Sequence, residues 1–231
     1  MQRIMEPIFE IAYLVVVLVL GVRILKASAG RRQFRLMGTA ALVLGAGDGF
    51  HLLPRIYATW TDGVANHPAS LGFGTAVTSV TMTVFYVLLY RLWRVRYGKG
   101  AQRGLTAAVY ALGAVRVALC LFPQNRWLSP DAPLSWGIYR NIPFVLLGLL
   151  VLFLYQREAA LQKDRGFRWM WLAIALSFAF YLPVVLFTDT APALGMLMIP
   201  KTCAYVWMVW MGWRAAKRDP GGDGPHREKT P

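Results

Sequence analysis

Charged side chains inside apolar segments mark where chemistry would occur in this sequence. Each costs about 2.5–3.5 kcal/mol at the centre of a membrane helix on insertion scales, so each needs a reason to be there. Asp48, His51 and Arg55 follow one another at spacings of three and four, which stacks them on one face of a helix. Asp48 and His51 are the expected catalytic pair, a carboxylate and an imidazole suited to general base and acid roles or to holding a metal. Glu6 and Glu10 are also four apart, Arg116 lies deep in a later apolar run, Arg140 and Asn141 open the next, and Lys201 is followed one turn on by Tyr205. The four cations Arg55, Arg116, Arg140 and Lys201 outnumber the three acids Glu6, Glu10 and Asp48. Surplus positive charge at low dielectric favours an anionic ligand group, a carboxylate or a phosphate, and arginine suits two-pronged recognition of either. The expected ligand-binding set is therefore Arg55, Arg116, Arg140, Asn141, Lys201, Tyr205 and Glu10. Structural roles compete with this reading: a hydrogen-bonded Asp48–His51 pair, arginines snorkelling to the interface, or ion pairs from Arg116 and Lys201 to Asp48 or Glu10.

The elements that carry these residues are apolar runs at about 7–27, 36–56, 70–92, 104–122, 136–156, 168–188 and 193–213 in a 231-residue chain that is 57% hydrophobic and 16% charged. Each run is long enough to cross a hydrocarbon core, which takes about 20 residues. A soluble domain would carry about 25% charged residues. The expected fold is all-α, a polytopic transmembrane bundle of seven helices forming one domain over 1–218, with a disordered cytoplasmic tail at 219–231. The net charge of +14 does not point to nucleic acid, because the basic residues sit in short loops and form no stripe.

Orientation follows from those loops. Nineteen of the 25 Lys and Arg residues fall at one set of helix ends and only Arg3, Arg55 and Arg126 at the other. The basic side is cytoplasmic, which puts the N-terminus outside and the C-terminus inside. Ala27-Ser28-Ala29 has the small-x-small form of a signal cleavage site, but the basic residues flanking it favour an uncleaved first helix. So oriented, the intramembrane charges all fall in the outer halves of their helices, while the inner halves read Val15-Val16-Val17-Leu18 or Leu146-Leu147-Gly148-Leu149-Leu150. One outward-facing polar pocket with an apolar floor is expected. Trp60, Trp127 and Trp136 on one side, and Trp93, Trp169, Trp171 and Trp213 on the other, fit interfacial belts.

Short matches hint at a 3+1+3 parallel repeat. Phe34-Arg35-x-Met37 opens the second span and Phe167-Arg168-x-Met170 the sixth, and Trp93-Arg94 closes the third as Trp213-Arg214 closes the seventh. Cys120 and Cys203 lie in apolar segments with no metal or disulfide spacing.

The stretches Gly47-Asp48-Gly49-Phe50-His51-Leu52-Leu53-Pro54-Arg55, Tyr139-Arg140-Asn141-Ile142-Pro143-Phe144 and Ile199-Pro200-Lys201-Thr202-Cys203-Ala204-Tyr205 resemble a bacterial family of uncharacterised seven-span membrane proteins over nearly the whole chain. That resemblance implies the bacterial inner membrane and brings no activity with it. Gly47-Asp48 is similar to the Gly-Asp of the YhhN-type lysoplasmalogenases, whose second aspartate motif is not visible here. Pro123-Gln124 resembles the dipeptide of the PQ-loop transporters, and the repeat resembles the SWEETs. Lys201 in the last span, after Tyr181-Leu182-Pro183, resembles the microbial rhodopsins, although the third span has no acidic counterion. No cofactor is expected, with a metal at Asp48 and His51 or retinal at Lys201 as the alternatives.

The expected partners are the bilayer and an anionic or amphiphilic small molecule or lipid. An enzyme acting on such a molecule, a transporter and a seven-helix sensor all use a site of this kind.

Overall fold

The computed structural model describes residues 2–100, 102–187 and 191–218. The tail at 219–231, Thr188 at the end of the expected sixth span and the following Asp189-Thr190 lie outside the described residues. Seven helices run through the rest: α1 (Gln2–Ala27), α2 (Arg32–Trp60), α3 (Pro68–Arg96), α4 (Arg103–Leu121), α5 (Leu134–Leu161), α6 (Met170–Phe187) and α7 (Met198–Arg218). All seven segments are long and apolar enough to cross a membrane, so the chain is a multi-pass bundle. Helices α2, α3 and α5 outrun their apolar stretches by a turn or so, because polar and basic residues continue the helix into the interface. The seventh element differs from expectation at its start, where Pro192–Leu197 forms a 3₁₀ turn before α7 begins.

Each helix packs on the next in sequence, and α1 closes the ring on α7. Helix α4 is displaced outward, so that α3 also touches α5 directly. The buried residues of α4 are Val109, Gly113, Arg116 and Cys120, a single stripe at spacings of four, three and four. Leaving α4 aside, the main pairings within α1–α3 correspond to those within α5–α7. The α1–α7 contact corresponds to α3–α5, and α2–α7 to α3–α6, where the Tyr86 and Ser177 hydroxyls lie 3.2 Å apart. Phe34 and Phe167 are both fully buried, each under a guanidinium, from Arg31 at 4.4 Å and from Arg96 at 4.3 Å.

Small residues let α2 and α3 cross closely, as is usual where membrane helices approach tightly. Pro54 has no N–H to offer the Phe50 carbonyl one turn back, and Gly74 sits against that carbonyl. Any side chain at 74 would strike it. Gly47 likewise meets Thr81, and its carbonyl accepts a hydrogen bond from Thr78 Oγ1 at 2.9 Å. This crossing fixes the height at which Asp48 and His51 enter the bundle.

One sequence expectation about a peripheral residue needs adjustment. Trp93 is buried, 2% exposed, with its indole N–H on the Leu154 carbonyl, so it belongs to the core and not to an interfacial belt. Cys120 is buried but Cys203 is exposed on α7.

Candidate functional site

Arg116 stands at the centre of the outer half. Its place on the one buried stripe of the most peripheral helix is telling, because most of that helix's surface could carry an arginine outward to snorkel. The side chain is 2% exposed, and its guanidinium carbon lies 3.3 Å from the centre of the Phe144 ring. Phe144 is itself packed against Tyr86, Phe178 and Tyr181. Nε and Nη1 of Arg116 are buried and have no hydrogen-bond partner among the described residues. Most buried polar groups in folded proteins are satisfied, so an orphaned guanidinium edge marks an incomplete site.

Asp48 reaches the same level from α2. It is 8% exposed, and Oδ2 accepts a 2.5 Å hydrogen bond from the Tyr13 hydroxyl of α1. Lys201 approaches from α7 with its amine 4.7 Å from the Tyr181 ring centre and 5.4 Å from that of Tyr205. That amine makes no hydrogen bond or ion pair to any described residue. Tyr205 is 2% exposed and packs edge-on to Phe85. Asn141 is fully engaged, since its amide donates to the Gly137 carbonyl and its oxygen accepts from the Tyr181 hydroxyl, both at 2.8 Å.

A partly exposed layer lies above. Arg55 pairs with Glu6 at 2.6 Å and with Glu10 at 3.3 Å, leaving Oε2 of Glu10 buried without a partner among the described residues. Arg140 donates to Asn125 Oδ1 at 2.9 Å and lies 4.3 Å from the Trp127 ring. Asn125 is wholly buried and donates to the Leu119 and Phe122 carbonyls that end α4, and the Trp127 indole donates to that of Cys120. Arg140 therefore sits where a helix C-terminus favours a cation. His51 Nδ1 lies 3.1 Å from the Thr75 hydroxyl, whose own hydrogen is given to the Leu71 carbonyl. The Thr75 hydroxyl and the Leu71 carbonyl therefore hold the His51 ring on the α3 side.

The fold thus brings the expected residues to one end of the bundle but divides them. All the acids come from α1 and α2, while Arg116 and Arg140 come from α4 and α5 across the ring, with Lys201 on α7 between. Asp48 and His51 do not pair with each other, since each holds a different partner. Sequence reasoning missed Tyr13, Thr75, Asn125, Trp127 and Tyr181. Only Tyr13 left a signal, because Glu6, Glu10 and Tyr13 continue one face of α1 at spacings of four and three.

A second polar cluster sits at the opposite end. Arg96 makes a two-pronged pair with Asp164, at 2.5 Å and 2.7 Å, and its Nη1 donates to Gln33 Oε1 at 3.1 Å. The Tyr97 hydroxyl and the Gly166 amide also donate to Asp164. Burial on its own would raise the Asp164 carboxyl, but the Arg96 guanidinium and these donors hold it below the usual carboxylate range. Lys99 and Glu158 pair beside it at 2.8 Å.

Among the described residues, no three His, Cys, Asp or Glu side chains gather as a metal site would require. The sequence matches no protein-family profile and no curated protein sequence.

Proposed function

We propose that this chain is a multi-pass protein of the bacterial inner membrane whose outer half binds the anionic head of an amphiphile. The observation that carries the reading is the buried Arg116 guanidinium, whose Nε and Nη1 have no hydrogen-bond partner among the described residues and whose face lies on the Phe144 ring. A carboxylate or phosphate would complete it, with Lys201 within reach of the same space. The site is closed in this structure, and α4, held by one stripe of four residues, is the helix whose displacement opens it sideways to the bilayer. Lateral entry suits a ligand that already resides in lipid. Asp48, oriented by Tyr13, and His51, held by Thr75, would act on such a ligand from the opposite wall, which is the route by which binding could become catalysis.

The test is mass spectrometry of lipids and metabolites recovered with the purified protein, for wild type and Arg116→Gln. A charge-assisted hydrogen bond contributes about 1.5–3 kcal/mol, so the variant should lose the anionic species by roughly tenfold or more. Equal recovery from both proteins overturns the reading.

Transport is a second reading, favoured by one further observation. The buried Arg96–Asp164 pair joins α3 to the α5–α6 connection, and so ties the two helix triplets together at the inner end as a closed gate would. Flux of the recovered species across sealed vesicles, lost on adding a cross-link between α3 and the α5–α6 connection, supports transport. Absence of flux removes it.

A further inference from the structure

We infer that a groove between α3 and α4 at the inner face binds one anionic glycerophospholipid of the cytoplasmic leaflet, its phosphate between Arg94 and Arg103 and a chain along α4. The groove has a volume of about 360 Å³ and is lined by Arg94, Arg103, Thr106, Ala107 and Tyr110. The last four lie on one face of α4. Arg103 to Tyr110 spans seven residues, or about 10 Å of helix, the distance from a head group down into the upper acyl region. Tyr110 is 45% exposed there and offers an aromatic wall.

The charges at this groove are unmatched, and that sets it apart from its surroundings. Arg96 and Lys99 nearby are each paired with an acid, Asp164 and Glu158. Arg94 and Arg103 have no acidic partner among the described residues. Arg94 spends two nitrogens on the Gly100 carbonyl and the Thr106 hydroxyl, and its Nε has no partner. The first turn of α4 contains no acid and has no side-chain cap, so its amide end adds to the attraction for an anion. Two arginines without an acidic partner among the described residues, a helix N-terminus and an apolar continuation at interfacial depth fit a lipid phosphate better than a soluble anion, which has no use for the apolar part.

Native mass spectrometry of the full chain in mild detergent tests this, with phosphatidylglycerol, phosphatidylcholine and inorganic phosphate as probes. Wild type should retain one phosphatidylglycerol in preference to phosphatidylcholine. Arg103→Gln should weaken that binding about fivefold, and Arg94→Gln with Arg103→Gln about 25-fold, the attraction expected per basic residue near an anionic surface. Arg103 makes no hydrogen bond or ion pair to a described residue, so its variant should fold as wild type. Arg116→Gln, at the outer site, should leave the adduct unchanged, which separates this proposal from the function proposed above. Undiminished phosphatidylglycerol binding in Arg103→Gln, or equal binding of the two lipids, overturns it. Displacement of the lipid by millimolar inorganic phosphate also overturns it, by making the groove a site for soluble anions.

Discussion

The two ends of the bundle bury arginine in opposite ways. At the inner end, Arg96 is matched on both prongs by Asp164 and on a third nitrogen by Gln33, and the carboxylate is further satisfied by Tyr97 and Gly166. At the outer end, Arg116 is more deeply buried, yet two of its nitrogens have no acceptor among the described residues. A complete network is a fastening, whereas an incomplete one stores the capacity to bind. On the proposed function, stability belongs to one end and binding to the other.

The largest effect should come from cutting the fastening. Asp164→Ala leaves Arg96 buried and uncompensated, and should lower stability by about 3–5 kcal/mol, read as thermal unfolding in detergent. A small change there would erase the contrast. Acid should loosen the same pair in wild type. The folded carboxyl is held below its ordinary value of 3.8, so its contribution is full above that value and is lost as pH falls through the depressed one. Melting curves taken down to that range should show the loss in wild type and a flatter response in Asp164→Asn.

Arg116→Leu should behave in the opposite sense. Removing an orphaned guanidinium relieves a burial penalty of about 1–3 kcal/mol, offset in part by the lost contact with Phe144. The unliganded protein should be as stable as wild type or more so, while stabilisation by the ligand disappears. A variant clearly less stable without ligand would mean that Arg116 is structural. Tyr13→Phe should have the smallest effect, about 1 kcal/mol, from one lost hydrogen bond to Asp48. If its melting point falls as far as that of Asp164→Ala, the outer site is a fastening too.

The difference between the ends also explains what could be read from the sequence. Seven spans were legible because apolar runs of this length are imposed by the bilayer itself. Asp48, His51, Arg116 and Lys201 stood out for the same reason, being charges where charge is costly. Asp164 did not, because Gln162-Lys163-Asp164-Arg165 looks like any solvated loop. Nothing local says that the loop folds back beneath α3, although the Gly two residues on, whose amide Asp164 accepts, is a turn signal. Asn125 was hidden likewise in a connection. The division of acids from cations needed the ring order, and the separate partners of Asp48 and His51 needed Tyr13 and Thr75, ordinary residues on neighbouring helices.

The lone inward stripe of α4 bears on how the chain is made. A segment carrying Arg116 partitions poorly from the translocon into lipid by itself, since the Phe144 ring that covers the guanidinium arrives only with α5. The fourth crossing should therefore be completed only once the fifth has been synthesised. A chain truncated after α4 is expected to leave that helix incompletely inserted, and one carried through α5 to recover it, in a glycosylation-site mapping assay.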